Sequence, residues 1–196
     1  MRERVRRAPR YHRAMHRTPT IAPVASWDGA AQAAWDAVLA LPFSSLGVRC
    51  SADHLLELAY LPAATSPRAA SAATAALVRE LQAQLLAYCA DPDHRFTLPL
   101  AARGTAFQRR VWQLLGEIPR GRVLRYGEAA RQLGSAARAV GGACRANPFA
   151  PIVPCHRIVG AGGLGGFAGS RGDDALAIKA WLLRHEGVED VGGGQR

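Results

Sequence analysis

Residues 123–148 read "VLRYGEAARQLGSAARAVGGACRANP". Leu124 and Arg125 open a short extended piece, and a short helix follows until Gly134 stops it. Ser135 can cap a second helix that ends at Asn147-Pro148, where the proline cannot continue it. Two short helices across a tight glycine turn form a helix-turn-helix pattern. The second helix carries Gly141 and Gly142 in its interior, each costing about 1 kcal/mol relative to Ala. With Ala136, Ala137, Ala139 and Ala143 they leave a smooth surface bearing Arg138 and Arg145. Such a surface fits close packing on another helix, or the close approach of a bulky partner.

Upstream, Thr105 and Gln108 form a capping box. Phe107, Val111, Leu114, Leu115 and Ile118 then recur at helical spacing until Pro119. "AARG" at 101–104 reads as a linker. The segment before it predicts a small α/β unit. Residues 27–41 read as an Ala-rich helix after Ser26, ending before Pro42. "SLGVRCSADHLLELAYLP" reads as two strands about a polar turn at Ser51–His54. Residues 71–90 read as a helix with Leu77, Leu81 and Leu85 on its stripe, widened by Val78 and Tyr88. Phe96, Leu98 and Leu100 alternate as in a strand. Residues 1–20 show no apolar periodicity and are broken by Pro9 and Pro19, so they read as a disordered basic tail.

The chain of 196 residues carries a net charge of +10, and the distribution is uneven. Residues 1–17 hold +6, 18–100 hold −3, 101–171 hold +9 and 172–196 hold −2. Arg outnumbers Lys 24 to 1, which biased composition explains; the scarcity of acids in 101–171 it does not. A basic block of this kind fits a phosphate-rich partner. No apolar run approaches the roughly 18 residues of a membrane helix. The N-terminus has no apolar signal region, so a cytoplasmic protein with reduced cysteines is expected. Cys50 and Cys89 read as packing residues.

Downstream lies "PIVPCHRIVG" at 151–160. The adjacent Cys155 and His156 admit three readings: a metal pair, a buried structural cysteine or an activated nucleophile. The four cysteines form no CxxC pair, and His185 and Cys144 complete no known zinc pattern. A nucleophilic thiol needs a base or positive charge beside it, and a histidine base needs an orienting group. Glu186, in "WLLRHEG", is a candidate for that group. The loop "GAGGLGG" at 160–166 could supply backbone donors, so a thiol hydrolase stays open.

"VPCHRIVG", with "RAVGGACRANP" and "RYGEAA" before it and "GGF" and "KAWLLRHEG" after it, resembles the methylated-DNA–protein-cysteine methyltransferases. The resemblance is strong over about residues 96–187. Residues 43–95 are compatible with the family's small N-terminal domain. It implies an α/β N-terminal domain, a small sheet with helices, over 21–100. A mainly α, winged-helix-like C-terminal domain with a helix-turn-helix follows over 101–196.

The resemblance also implies that Cys155 takes the alkyl group from 6-O-alkylguanine, and from 4-O-alkylthymine, irreversibly and once. His156 would be its base through a water, and Glu186 would hold His156. Asn147 would brace the active segment. Tyr126 would rotate the nucleotide and donate a proton to guanine N3. Arg138 would enter the stack where the base leaves. Ala139, Gly141, Gly142 and Arg145 would lie on the minor groove of double-stranded DNA. Pro154, Ile158 and Phe167 would form the pocket, with the carbonyls of Cys155 and Ile158 meeting the guanine amino group. Phe167 stands where many members have Tyr. Arg157 would be structural. No cofactor, metal or membrane is implied, and the protein is expected to be a monomer. The rival is a related protein that binds alkylated DNA without transferring the group.

Overall fold

The computed structural model describes residues 35–169 and 173–189. The expected tail at 1–20 and the first part of the helix expected at 27–41 lie outside those residues.

The first unit is an antiparallel sheet in the order β1 (Ala37–Leu41), β2 (Ser44–Cys50), β3 (Leu55–Leu61). β1 replaces the end of the helix expected up to residue 41. "AVLAL" is short, and its five residues pair in register with Val48 through Ser44 of β2. Tertiary pairing thus overrides the helix preference of alanine. The turn between β2 and β3 is where the polar run predicts it. The Ser51 N–H donates to the His54 carbonyl, and the Ser51 hydroxyl accepts from the His54 N–H.

α1 (Ala75–Ala90) lays Leu77, Val78, Leu81 and Leu85 on the sheet against Leu46, Val48 and Leu55. Leu81 and Leu85 are fully buried, each contributing roughly 1.5–3 kcal/mol. The strand expected at 96–100 is reduced to a single bridge between Leu55 and Leu100. Pro99 explains this: it accepts from Leu55 but has no N–H to extend a ladder.

α2 (Ala106–Glu117) begins at the Thr105–Gln108 capping box, with both reciprocal bonds present. β4 (Leu124–Arg125) leads into α3 (Tyr126–Gln132) and α4 (Ala137–Arg145). Gly134, at φ 60°, makes the tight reversal between these helices. Ala136, not Ser135, occupies the cap position of α4, and no side chain caps it. The Ser135 N–H instead closes the end of α3 by donating to the Ala130 carbonyl. β5 (Ile158–Val159) pairs parallel to β4, and α5 (Asp173–His185) packs behind it.

The two halves share their cores. Phe43 and Tyr88 are buried with Val111, Leu115, Ile158 and Leu182. Phe149 is buried among the residues of the sheet and α1. Beside it, the Leu58 N–H donates to the Pro148 carbonyl at 2.7 Å. Phe149→Ala is therefore expected to lower stability by about 3–5 kcal/mol. Chemical denaturation followed by both fluorescence and circular dichroism checks it.

Candidate functional site

α3 and α4 cradle a cleft of about 600 Å³, with Cys155 among the residues lining it. Tyr126, the first residue of α3, forms one side, and Arg138, Gly141, Gly142 and Arg145 of α4 form another. Phe167 closes it at the glycine-rich loop. That loop folds tightly: Gly160 donates to the Gly163 carbonyl, and a Cβ on Gly165 (φ 69°) would meet the Tyr126 ring at 3.2 Å.

Cys155 and His156 begin a single 3₁₀ turn, Cys155–Arg157, and both are buried. Asn147 clasps the loop before it. Its amide donates to the Val153 carbonyl at 2.8 Å, and its oxygen accepts from the Phe149 N–H at 3.0 Å.

Glu186, just past α5, is also buried and gathers three side chains. His156 Nε2 lies 2.9 Å from its Oε1. Arg157 donates from Nε and Nη2 at 2.8 and 2.9 Å. The Tyr88 hydroxyl donates at 2.8 Å. Burial works against a charge on Glu186, but the bonds from His156 and Arg157 outweigh it and hold the carboxyl well below the usual range.

An ionised carboxylate only accepts, so His156 Nε2 carries a hydrogen. Burial holds the ring's pKa down, against the pull of Glu186, so the ring is neutral. Nδ1 is then the atom with a free lone pair, the one able to take a proton. Burial pushes the Cys155 thiol up, opposed by a hydrogen bond from Asn147 and the charge of Lys179. The resting thiol is neutral and needs a base.

The cleft joins Tyr126, Arg138, Gly141, Gly142, Arg145, Cys155 and Phe167. His156, Glu186 and Asn147 stand behind it. Pro154 and Ile158, expected in the pocket, are buried and do not line it, and Ala139 is exposed outside it. The Ile158 carbonyl accepts from Lys179 Nζ at 2.6 Å. The smooth face of α4 is not a packing face at Gly142, where an added Cβ would meet nothing within 4 Å. Val140, Ala143 and Cys144 do the inward packing. Arg138 and Arg145 are exposed, without a carboxylate partner among the described residues.

Three site residues escape a reading of the sequence. Tyr88 passes as part of a core stripe, although a buried phenol needs a partner. Lys179, the only lysine in the chain, is fully buried on α5 beside Ile178 and Leu182. Its ammonium donates to the carbonyls of Ile158, Leu164 and Gly166, tying β5 to the glycine-rich loop. Burial pulls its pKa down to about 8, opposed by the negative charge that Cys155 and Cys144 would carry if ionised. Its position on the apolar face of α5 was the available signal. Cys144 is a second thiol in the cleft, and burial pushes it up to about 12. Among the described residues no group of three or more His, Cys, Asp or Glu could hold a metal ion. No described helix is long and apolar enough to cross a membrane.

Residues 106–188 match the model of the 6-O-methylguanine DNA methyltransferase DNA-binding domain. A methylated-DNA–protein-cysteine methyltransferase of Salmonella typhimurium is 54% identical over 94 residues, covering 46% of this chain and 52% of that one. The chain thus spans about half the length of that relative. One of Methanosarcina acetivorans is 48% identical over 112 residues, covering 56% of this chain and 69% of that one. The Mycobacterium tuberculosis OGT crystallised in complex with DNA superposes with a TM-score of 0.61 at 36% identity, covering 76% of this chain and 90% of that one.

Glu186→Gln is expected to lower stability at neutral pH by about 3 kcal/mol, since it leaves the partly buried Arg157 charge without its carboxylate. The folded-state pKa of Glu186 lies below the unfolded value, so its contribution is complete above about pH 4.5 and is lost as pH falls below it. Denaturation from pH 7 to 3 should show a shallower acid decline in the variant than in the parent.

Proposed function

Because the chain belongs to the methylated-DNA–protein-cysteine methyltransferase family, we propose that it repairs 6-O-alkylguanine in DNA by moving the alkyl group onto Cys155. The observation that carries this reading is a buried Cys155–His156–Glu186 series that reaches a cleft walled by an exposed, basic, glycine-bearing helix.

The thiol proton passes to His156 Nδ1. The Sγ–carbon bond then forms as the carbon–O6 bond breaks, leaving its electron pair on guanine. Tyr126 donates a proton to guanine N3 as that charge develops, and the proton taken up by His156 then restores the phenol through solvent, so no proton is gained or lost overall. Burial keeps the Tyr126 phenol protonated until then. The product is a thioether, which water does not cleave, so each molecule acts once. 4-O-alkylthymine presents the same leaving oxygen and is a second substrate. No step uses a metal or cofactor.

Cys155 is buried, so the base must leave the duplex to reach it, at a cost of a few kcal/mol. Arg138, at the cleft rim, fills the stack in its place. α3 and α4 act as the helix-turn-helix of a winged-helix-like domain spanning 101–196, with α4 in the minor groove. Residues 21–100 form the supporting domain. Ala139, Gly142 and Arg145 lie toward the backbone and Phe167 against the flipped base. Pro154 and Ile158 shape the pocket from behind. Binding is phosphate-driven and falls steeply with salt. The protein acts as a cytoplasmic monomer.

Mixing the protein with duplex DNA containing 6-O-methylguanine should add the mass of one methylene, mapped to Cys155. Binding without a mass change would identify a lesion-binding protein instead. Cys155→Ser is expected to keep DNA affinity and lose all transfer. Arg138→Ala should slow reaction with duplex DNA at least tenfold more than reaction with free 6-O-methylguanine, because only the duplex must open. Equal losses on both substrates would remove Arg138 from base extrusion.

A further inference from the structure

Two buried polar atoms near Cys155 make no hydrogen bond to any described residue: His156 Nδ1 and the Tyr60 hydroxyl. Unpaired buried polar atoms are rare and costly. The transfer mechanism uses the first and leaves the second idle.

Tyr60 belongs to β3, far in sequence from the reacting segment. Its ring lies 5.5 Å, centroid to centroid, from Phe167, which walls the cleft beside Cys155. It meets Phe43 edge-on at 6.2 Å. Both partners belong to the cluster that buries Cys155, and Tyr60 packs against that cluster. Burial, followed by the negative charge that Cys155, Tyr88 and Glu186 can carry, pushes the phenol well above its ordinary value. It therefore stays a neutral hydroxyl, able to donate and accept.

We propose that Tyr60 is a positioning residue for the transfer, its hydroxyl completing the site of the water that carries the proton from Cys155 Sγ to His156 Nδ1. This rests on the reading of Cys155 and His156 given above. A buried water is held by about three hydrogen bonds. The thiol donates one, and the water donates one to Nδ1. The Tyr60 hydroxyl donates the third to the water oxygen. As the thiol proton moves onto the water, a water proton moves onto Nδ1. The water ends neutral, Tyr60 keeps its proton, and the charges left are the thiolate and the imidazolium. Glu186 accepts from the imidazolium at 2.9 Å. With two bonds alone the water is free to turn away from the line between donor and acceptor.

Tyr60→Phe removes one oxygen and keeps the ring contacts. Asn147 and Lys179 act on Cys155, with Tyr126 and Cys144 also facing it, and Glu186, Arg157 and Lys179 act on His156. All stay in place in the variant. The full chain is tested in two assays across pH: single-turnover transfer from 6-O-methylguanine DNA, and modification of Cys155 by iodoacetamide. Transfer at saturating DNA should fall about tenfold, a modest share of what general acid–base catalysis supplies. Both pH profiles should move to higher pH, with DNA affinity unchanged. In a His156→Gln background the same change should have no further effect. Unchanged rates and profiles with a raised melting temperature would overturn the proposal, because the hydroxyl would then be an unpaired packing atom. Additive losses in the double variant would overturn it too. If the parent protein transfers no methyl group, the repair reading fails, and the iodoacetamide profile still decides whether Tyr60 acts on Cys155.

Discussion

The buried carboxylate of Glu186 is the interaction on which the site depends. It accepts from His156, from two nitrogens of Arg157 and from Tyr88. These partners come from the 3₁₀ turn that begins at Cys155 and from α1, so one side chain ties the end of α5 to that turn and to the first half of the chain. A carboxylate buried without such partners would take up a proton or unfold its surroundings. With them it stays ionised. That state decides the tautomer of His156 and hence that Nδ1 is the nitrogen left with a free lone pair. Arg157 shares this work. It also donates to the Ile118 carbonyl at 2.6 Å, so the end of α2 is held by the same cluster.

Lys179 plays the matching part on the other side of Cys155. A lone lysine buried among carbonyls is costly, since an ammonium is strongly hydrated in water. Its three carbonyl acceptors recover part of that cost and hold β5 and the glycine-rich loop together. The loop then keeps Phe167 against the cleft. Positive charge from Lys179 and a hydrogen bond from Asn147 oppose the burial that raises the Cys155 thiol. The site thus keeps the Cys155 thiol protonated at rest, with groups that favour its ionised form close by.

The second half of the chain was legible in the sequence because its signals are local. The Thr105–Gln108 capping box, the helical spacing of Val111 and Leu115 and the glycine at 134 each act within a few residues. Glu186 as the partner of His156 was legible from the residue types, before the family resemblance, and lies 2.9 Å from it. Ala37–Leu41 reads as helix because an Ala-rich run carries helix preference, and the partner strand that makes it a strand lies beyond a turn. Leu98 and Leu100 alternate as a strand would, but Pro99 between them has no N–H to give. Tyr60, Tyr88 and Lys179 were not legible as site residues. Each sits on an apolar face where a polar tip is hidden by the periodicity around it, and its surroundings are set by tertiary folding.

The sharing of cores between the halves bears on how the site is built. Phe43 and Tyr88 enter the core of the second half, and Phe149 enters that of the first. The Phe149 backbone is held by Asn147, which also clasps Val153, two residues before Cys155. The first half is therefore a wall of the reacting segment as well as a neighbour. If that wall is loosened, Phe149 and the loop to Cys155 lose their seat before any residue in the cleft is touched. Tyr60 extends the same logic from packing to chemistry, since the strand that carries it belongs to the sheet of the first half and is tied to the second by the Leu58–Pro148 hydrogen bond.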